Sequence, residues 1–382
     1  MLLTSEHHAF RSTIASFVEK EVQPYVDEWE AKGCFPAHEL FRKLGDLGVF
    51  GLAYDPQYGG DGADHSYLLI AAEELGRIRS AGVSMGIGVH MMMSTPSLHE
   101  FGTEELKRKY LVPALRGETV SAIGVTEPDA GSDVAGLRTK ATIDGDEWVI
   151  NGLKTYITNG TQADWICLLA RTTDEGGYRG MSQIIVDMDT PGVSISRSLE
   201  KLGNRSSDTA EIKFENVRVP ISNTIGEAGR GFQQQMSQFV VERMFACYSR
   251  PGALQDALDR TAEYLQQRTV FGRPLAANQY ISFTLAELSA RLDVMRFYNW
   301  SMVEAFEAGE DTTRMATIGK LLVGRLSREI ADACLQFHGG LGYMEEHWTA
   351  RFLRDHRLMS IGGGADEVML QVLSKMDGFS AD

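Results

Sequence analysis

The chain has 382 residues, 43% of them hydrophobic and 23% charged, the make-up of a folded globular protein rather than a disordered one. A net charge of −15 argues against generic binding to nucleic acid or to an anionic membrane surface. Its four cysteines are scattered, with no CxxC pair and no His/Cys cluster at ligand spacing, so reduced thiols and no metal site are expected.

The opening stretch, MLLTSEHHAFRSTIASFVEK, has neither the basic flank nor the apolar block of a signal peptide. No stretch reaches the roughly 20 apolar residues of a membrane span. A cytoplasmic protein is expected, or one in an organelle matrix if a targeting segment has been removed. Residues 1–119 predict helices: Phe10, Ile14 and Phe17 recur at helical spacing behind Thr4 or Ser5 as a cap, and AHELFRKLGDLG, SYLLIAAEELGRI and TEELKRKYLVPAL follow. Residues 120–228 change texture. Asp144-Gly145 and Asn151-Gly152 stand between β-prone runs and predict tight hairpins, and DWICLLART, SQIIVDMD, GVSISRS and AEIKFENVRVP read as short strands. Residues 229–382 return to long amphipathic helical patterns that a bundle would bury. Pro251-Gly252 predicts a bend or break in the first of them. Strands and helices occupy separate blocks, so the fold class is α+β and not doubly wound α/β. A helical N-terminal domain, a middle β-domain and a C-terminal helical bundle are expected.

Five segments carry a resemblance. IGVTEPDAGSDV (123–134), KTYITNG (154–160), KLGNRSSDTAEIKFENVRVP (201–220), QRTVFGRPLAANQ (267–279) and QFHGGLGYM (336–344) resemble, in order and spacing, the acyl-CoA dehydrogenases. The resemblance covers essentially the whole chain. It implies that family's fold, FAD, a homotetramer, and α,β-dehydrogenation of an acyl-CoA thioester to the trans-2-enoyl-CoA, with electrons passed to an electron-transfer flavoprotein.

The resemblance also implies site residues. In TEPDAGSD, Pro128 and Gly131 shape a tight loop that puts Ile123, Val125, Thr126 and Glu127 at the flavin and Ser132 between flavin and substrate. Tyr156 stands where the family usually has a tryptophan against the flavin, and Thr158 follows near N5. Residues two apart on a strand share a face, which suits that pair. Arg268, Val270, Asn278 and Gln279, with Gln336, Gly339 and Gly340, fall where a neighbouring subunit contacts FAD, Arg268 offering a fork for the pyrophosphate. Ala365, in place of the usual threonine, and Glu367 complete the cofactor set. Without the resemblance the loop is also a hairpin corner, Tyr156 a core aromatic and Arg268 a solvated charge at a helix end.

The chemistry needs a base, because the α-proton of a thioester is only weakly acidic. Much of the family carries a glutamate in a loop of the form Tyr-Glu-Gly-Thr. The matching stretch is IGGGADEVM, which places Gly363 at the base position; Asp366 and Glu367 follow it and lead into the next helix. A branch resembling the isovaleryl-CoA and long-chain acyl-CoA dehydrogenases takes its glutamate from a helix, in an ER pair that ERM at 242–244 matches. On a helix Glu242 shares its face with Phe239, Phe245 and Ala246, and no cation stands four residues to either side. Burial among apolar groups suits a carboxylate that must act near neutral pH. Arg243 is expected to point elsewhere, toward CoA, with Val240, Ser132 and Gly364 as further substrate contacts. The backbone N–H of Gly363 is implied to hold the thioester carbonyl, as the second catalytic element. Two plainer alternatives are a structural Glu242 tied to a distant arginine and a glycine turn without a ligand.

A helix-borne base goes, in the family, with branched or long acyl chains, and IGGGADE also resembles the citronellyl-CoA dehydrogenase group. A medium, long or branched substrate is therefore expected. His90-Met91-Met92-Met93 reads either as a flexible acyl channel or as core packing. Rival readings are an oxygen-using acyl-CoA oxidase and a non-catalytic acyl-CoA or flavin scaffold.

Overall fold

Residues 3–380 are described by a computed structural model; residues 1–2 and 381–382, at the outer ends of the first and last expected domains, lie outside the described range. Thr4 caps the first helix, α1 (Ser5–Phe17), its hydroxyl accepting from His7 N. The helices α2 (Val26–Lys32), α3 (Ala37–Asp46), α4 (His65–Gly76) and α5 (Ala81–Val89) follow, then the short α6 (Pro96–Phe101), α7 (Glu104–Leu106) and α8 (Val112–Leu115). Ile14, Phe41, Leu69 and Ile87 from this part share one buried core with Phe245, Tyr248, Leu292, Val323 and Ile330 from the C-terminal helices. Met91, Met92 and Met93 join that core, in a π-helical turn over His90–Ser94, so the methionine run is core packing.

The strands β1 (Ser121–Gly124), β2 (Lys140–Asp144), β3 (Glu147–Thr158), β4 (Trp165–Arg171), β5 (Met181–Asp187), β6 (Val193–Ser198), β7 (Thr209–Pro220) and β8 (Thr224–Ile225) form one sheet of order β6-β7-β3-β2-β4-β5-β8, with β1 parallel to β4. Asp144 pairs with Glu147 across a two-residue turn in which Gly145 takes φ +66°, the hairpin expected at Asp144-Gly145. Asn151-Gly152 makes no hairpin. The pair lies inside β3 at a bulge opposite β7, where Asn216 N donates to Asn151 Oδ1 at 2.9 Å and a Cβ on Gly152 would press against Thr139.

Five helices complete the chain: α9 (Gly231–Gln267), α10 (Gln279–Glu307), α11 (Thr313–His338), α12 (Trp348–His356) and α13 (Asp366–Met376); a small hairpin of β9 (Thr269–Val270) and β10 (Arg273–Pro274) joins α9 to α10. The expected break at Pro251 does not occur, since α9 runs through it. Pro251 has no N–H for the Cys247 carbonyl, and the buried Asn299 of α10 supplies one instead, Nδ2 donating at 2.9 Å. Gly252 then lets α9 press against α4, where a Cβ would overlap the Glu73 carbonyl; Gly76 of α4 does the same against Ser249. The Glu73 carboxylate of α4 binds Arg296 of α10 at 3.0 Å and Arg11 of α1 at 3.4 Å, tying three helices together beside that crossing. Among the described residues no helix is long and apolar enough to cross a membrane.

Replacing Asn299 by alanine should therefore cost about 1–3 kcal/mol, the price of an orphaned buried carbonyl. The loss should be partly recovered in the Asn299→Ala/Pro251→Ala double variant, which restores the helical N–H. Thermal or urea unfolding of the four proteins measures this; an unchanged midpoint for Asn299→Ala would contradict it.

Candidate active site

Glu242 and Arg243 lie mid-way along the first half of α9, both half-buried. The turn carrying Gly362, Gly363 and Gly364 stands over them. Gly363 and Gly364 have φ of +65° and +98°, a region that favours glycine. A Cβ placed on Gly363 would lie 3.1 Å from Glu242 Oε1 and 4.0 Å from Lys320 Cε. The helix carboxylate thus occupies the space into which a side chain at 363 would project. Enclosure by protein pushes the Glu242 carboxyl up to about 7, opposed by the positive charges of Arg243 and Lys320.

Lys320, on α11, went unnoticed in the sequence. It is 1% exposed, and its ammonium donates to the Gly364 carbonyl. Burial lowers its pKa to about 8, partly countered by Asp366. The one available signal was a lysine within the apolar run IGKLLVG. Arg243 reaches the next residue of the turn: its Nη2 would lie 3.9 Å from a Cβ on Gly364. Its Nε is buried without a hydrogen-bond partner among the described residues, and burial lowers its pKa, so it is a cation open to an anionic ligand. Val240 packs half-buried against the helical core, whereas Phe239 packs with Val125 and Leu169 at the edge of the sheet. Asp366 begins α13 and pairs with Arg328 at 3.5 Å and Arg325 at 3.8 Å; Ala365 is its N-cap and Glu367 is exposed.

Beside the start of α9 lies the loop of residues 125–132, closed by reciprocal backbone hydrogen bonds between Glu127 and Ala130. The Glu127 carboxylate turns inward, away from any ligand. It accepts from Arg138 N at 2.6 Å, Thr139 N at 2.8 Å and the fully buried Lys154 Nζ at 2.8 Å. Burial would raise its pKa, but Lys154 and these donors outweigh burial and hold it low. Lys154 also donates to the Val125 carbonyl, and Thr155 N to the Thr126 carbonyl, which fastens the loop to β3. Glu127 can meet a cofactor only through its backbone.

Tyr156 is not a core aromatic: it is 69% exposed, at φ +61°, in a second bulge of β3. Ile157, between Tyr156 and Thr158, is buried, whereas Tyr156 is exposed and Thr158 half-buried. The hydroxyls of Thr126, Ser132 and Thr158 have no hydrogen-bond partner among the described residues, while Ile123 and Val125 pack beneath the loop.

The remaining expected residues gather at the other end of α9. Arg268 is its exposed C-cap, Val270 stands in β9, Asn278 caps α10 with its side chain on Tyr280 N, and Gln279 follows. Gln336, Gly339 and Gly340 end α11 beside them, exposed, around the buried Phe337; a Cβ on either glycine would meet nothing within 4 Å. Arg268 lies 26 positions beyond Glu242 along α9, about 39 Å at 1.5 Å per residue. The two groups are therefore separate places on one chain.

Comparison with known proteins agrees with this arrangement. Residues 4–118 match the model of the acyl-CoA dehydrogenase N-terminal domain, 122–217 the middle domain and 229–376 the C-terminal domain. The structure of an acyl-CoA dehydrogenase from Geobacillus kaustophilus superposes with a TM-score of 0.94 at 36% identity, covering 98% of each chain. Mitochondrial isovaleryl-CoA dehydrogenase of Solanum tuberosum is 32% identical over 98% of this chain and 91% of its own. A glutaryl-CoA dehydrogenase from Mycobacterium smegmatis, solved in complex with FADH2, superposes with a TM-score of 0.92 at 30% identity, covering 100% of this chain and 96% of that one. The chain belongs to the acyl-CoA dehydrogenase family.

Proposed function

We propose that this FAD-dependent acyl-CoA dehydrogenase uses Glu242 to remove the substrate's α-proton, at the point where other members place a loop glutamate. The observation that carries this reading is the 3.1 Å between Glu242 Oε1 and the Cβ position of Gly363. A carboxyl raised to about 7 is a competent base near neutral pH and a poor one in acid. Gly363, lacking a side chain, leaves that space to Glu242 and turns its backbone N–H to the thioester carbonyl, where negative charge develops as the proton leaves. Arg243 binds the CoA moiety, with Ser132, Val240 and Gly364 as further substrate contacts.

The residues present fit a flavin. Tyr156 is exposed beside three unpartnered hydroxyls, and Gly339 and Gly340 leave open space at the second group. FAD, when bound, supplies the hydride acceptor at N5. Ile123, Val125, Thr126, Ser132, Tyr156 and Thr158 hold the ring end, Glu127 through its backbone. Ala365 and Glu367 border it. Arg268, Val270, Asn278, Gln279, Gln336, Gly339 and Gly340 hold the nucleotide end of the FAD of a neighbouring subunit, because about 39 Å of helix is too far for one cofactor to touch both groups of one chain. The exposed stripe of Tyr280, Phe283, Val294 and Phe297 on α10 supports burial against another copy, in a homotetramer. The domain limits 1–119, 120–228 and 229–382 belong to the same reading, as does an electron-transfer flavoprotein as acceptor. The likeness to an isovaleryl-CoA dehydrogenase and the helix-borne base favour a medium, long or branched acyl chain, such as a citronellyl-CoA-like terpenoid thioester. Anaerobic flavin bleaching with straight, methyl-branched and terpenoid acyl-CoAs measures that preference. Bleaching by short straight chains alone would overturn it.

Glu242→Gln should retain flavin and fold while losing at least roughly 10²-fold in turnover, the typical effect of losing a general base. Near-normal turnover would sink the assignment. The sign of the pH dependence follows from the raised carboxyl: kcat/KM of the wild type should fall as pH drops through about 7, where Glu242 takes up a proton, and level off above it. A flat acid limb down to the ordinary carboxylate range would contradict this.

A further inference from the structure

We infer that Lys320 is a positioning residue for this reaction: its ammonium fastens the Gly364 carbonyl and faces the Glu242 carboxylate, closing the glycine turn over the base and favouring the base's charged form. The inference rests on the reading of Glu242 as the base. Lys320 is almost wholly buried in α11, and its ammonium is committed to the turn 44 residues further on. Its Cε stands 4.0 Å from the same point, the Cβ position of Gly363, that lies 3.1 Å from Glu242 Oε1. One side chain therefore binds the turn and acts electrostatically on the carboxylate that lies against the same turn.

The charged groups around it can be named. Arg243 and Lys320 are the cations acting on Glu242, from α9 and α11. Asp366 of α13, Arg243 of α9 and Glu242 itself act on Lys320, and Asp366 is already shared by Arg325 and Arg328. Arg243 remains free for a ligand anion, which would offset its charge. Lys320, held away from solvent and tied to a neutral carbonyl, is then the cation that continues to favour ionised Glu242 when substrate is bound.

Three variants test this. Lys320→Gln keeps a donor toward the Gly364 carbonyl but removes the charge. It should move the acid limb of kcat/KM upward by about one pH unit, the lower end of the effect of a close opposite charge. Lys320→Arg keeps the charge and should leave the limb where it is. Lys320→Met loses both functions and should show the same upward shift together with a kcat at least roughly tenfold lower on the plateau, as misplacement of a reacting group does. A Lys320→Gln profile that superimposes on wild type overturns the inference. So does a Lys320→Arg limb displaced as far as that of Lys320→Gln, or a rate loss in Lys320→Met without any shift. If Lys320→Met does not fold or hold flavin, the Gln and Arg variants decide. Failure of the underlying assignment reads out separately, as turnover that survives Glu242→Gln.

Discussion

Two features together disfavour a side chain at position 363: a left-handed φ of +65°, and the Glu242 carboxylate only 3.1 Å from where its Cβ would stand. From that constraint the rest of the site follows. Residue 363 is glycine, in a left-handed turn, and the turn comes close enough for its neighbour's carbonyl to be bound by Lys320. The carboxylate is enclosed, so its proton affinity rises into the neutral range. Two nearby cations limit that rise, and the balance of burial against charge sets the pH at which the carboxylate ionises.

Placing a carboxylate on a bundle helix, instead of on a loop, makes the course of that helix part of the chemistry. α9 must pass beneath the glycine turn and then cross α4 at close range before reaching Arg268. Pro251 sits at the crossing. There it would leave a buried carbonyl unbonded, and the bond from Asn299 keeps the helix continuous. Gly76 and Gly252 let the two backbones approach, and the Glu73 network holds the neighbouring helices to the same point. The same long helix keeps Glu242 and Arg268 far apart on one chain, which is why the proposed function shares the cofactor site between subunits.

What could be read from the sequence is what has a local cause. The change from helical to strand texture near residues 120 and 228 follows from periodicity alone, and the Asp144-Gly145 turn from the backbone freedom of glycine. Glu242 was visible because a carboxylate amid Phe239, Phe245 and Ala246 is anomalous on a helix, and Gly363 because a glycine cannot serve as a base. The misses all depend on partners distant in the chain. Asn151-Gly152 reads as a turn until β7 pairs beside it, and the left-handed backbone is then taken by Asn216. Pro251 reads as a break until Asn299 binds the Cys247 carbonyl from 52 residues away. That the Glu127 carboxylate is bound by the buried Lys154 depends likewise on a residue 27 positions away. Lys320 carries no local mark of its role beyond being charged among apolar neighbours.

The central claim is that the Glu242 carboxylate removes the α-proton. It is tested most directly by following exchange of the α-hydrogens of a bound acyl-CoA with deuterated solvent, anaerobically, by mass spectrometry or NMR. This isolates proton removal from hydride transfer and from reoxidation. The account predicts exchange in the wild-type enzyme, faster as pH rises through about 7, and its loss in Glu242→Gln with flavin still bound. Exchange at the wild-type rate in Glu242→Gln would show that another group takes the proton and would contradict the account.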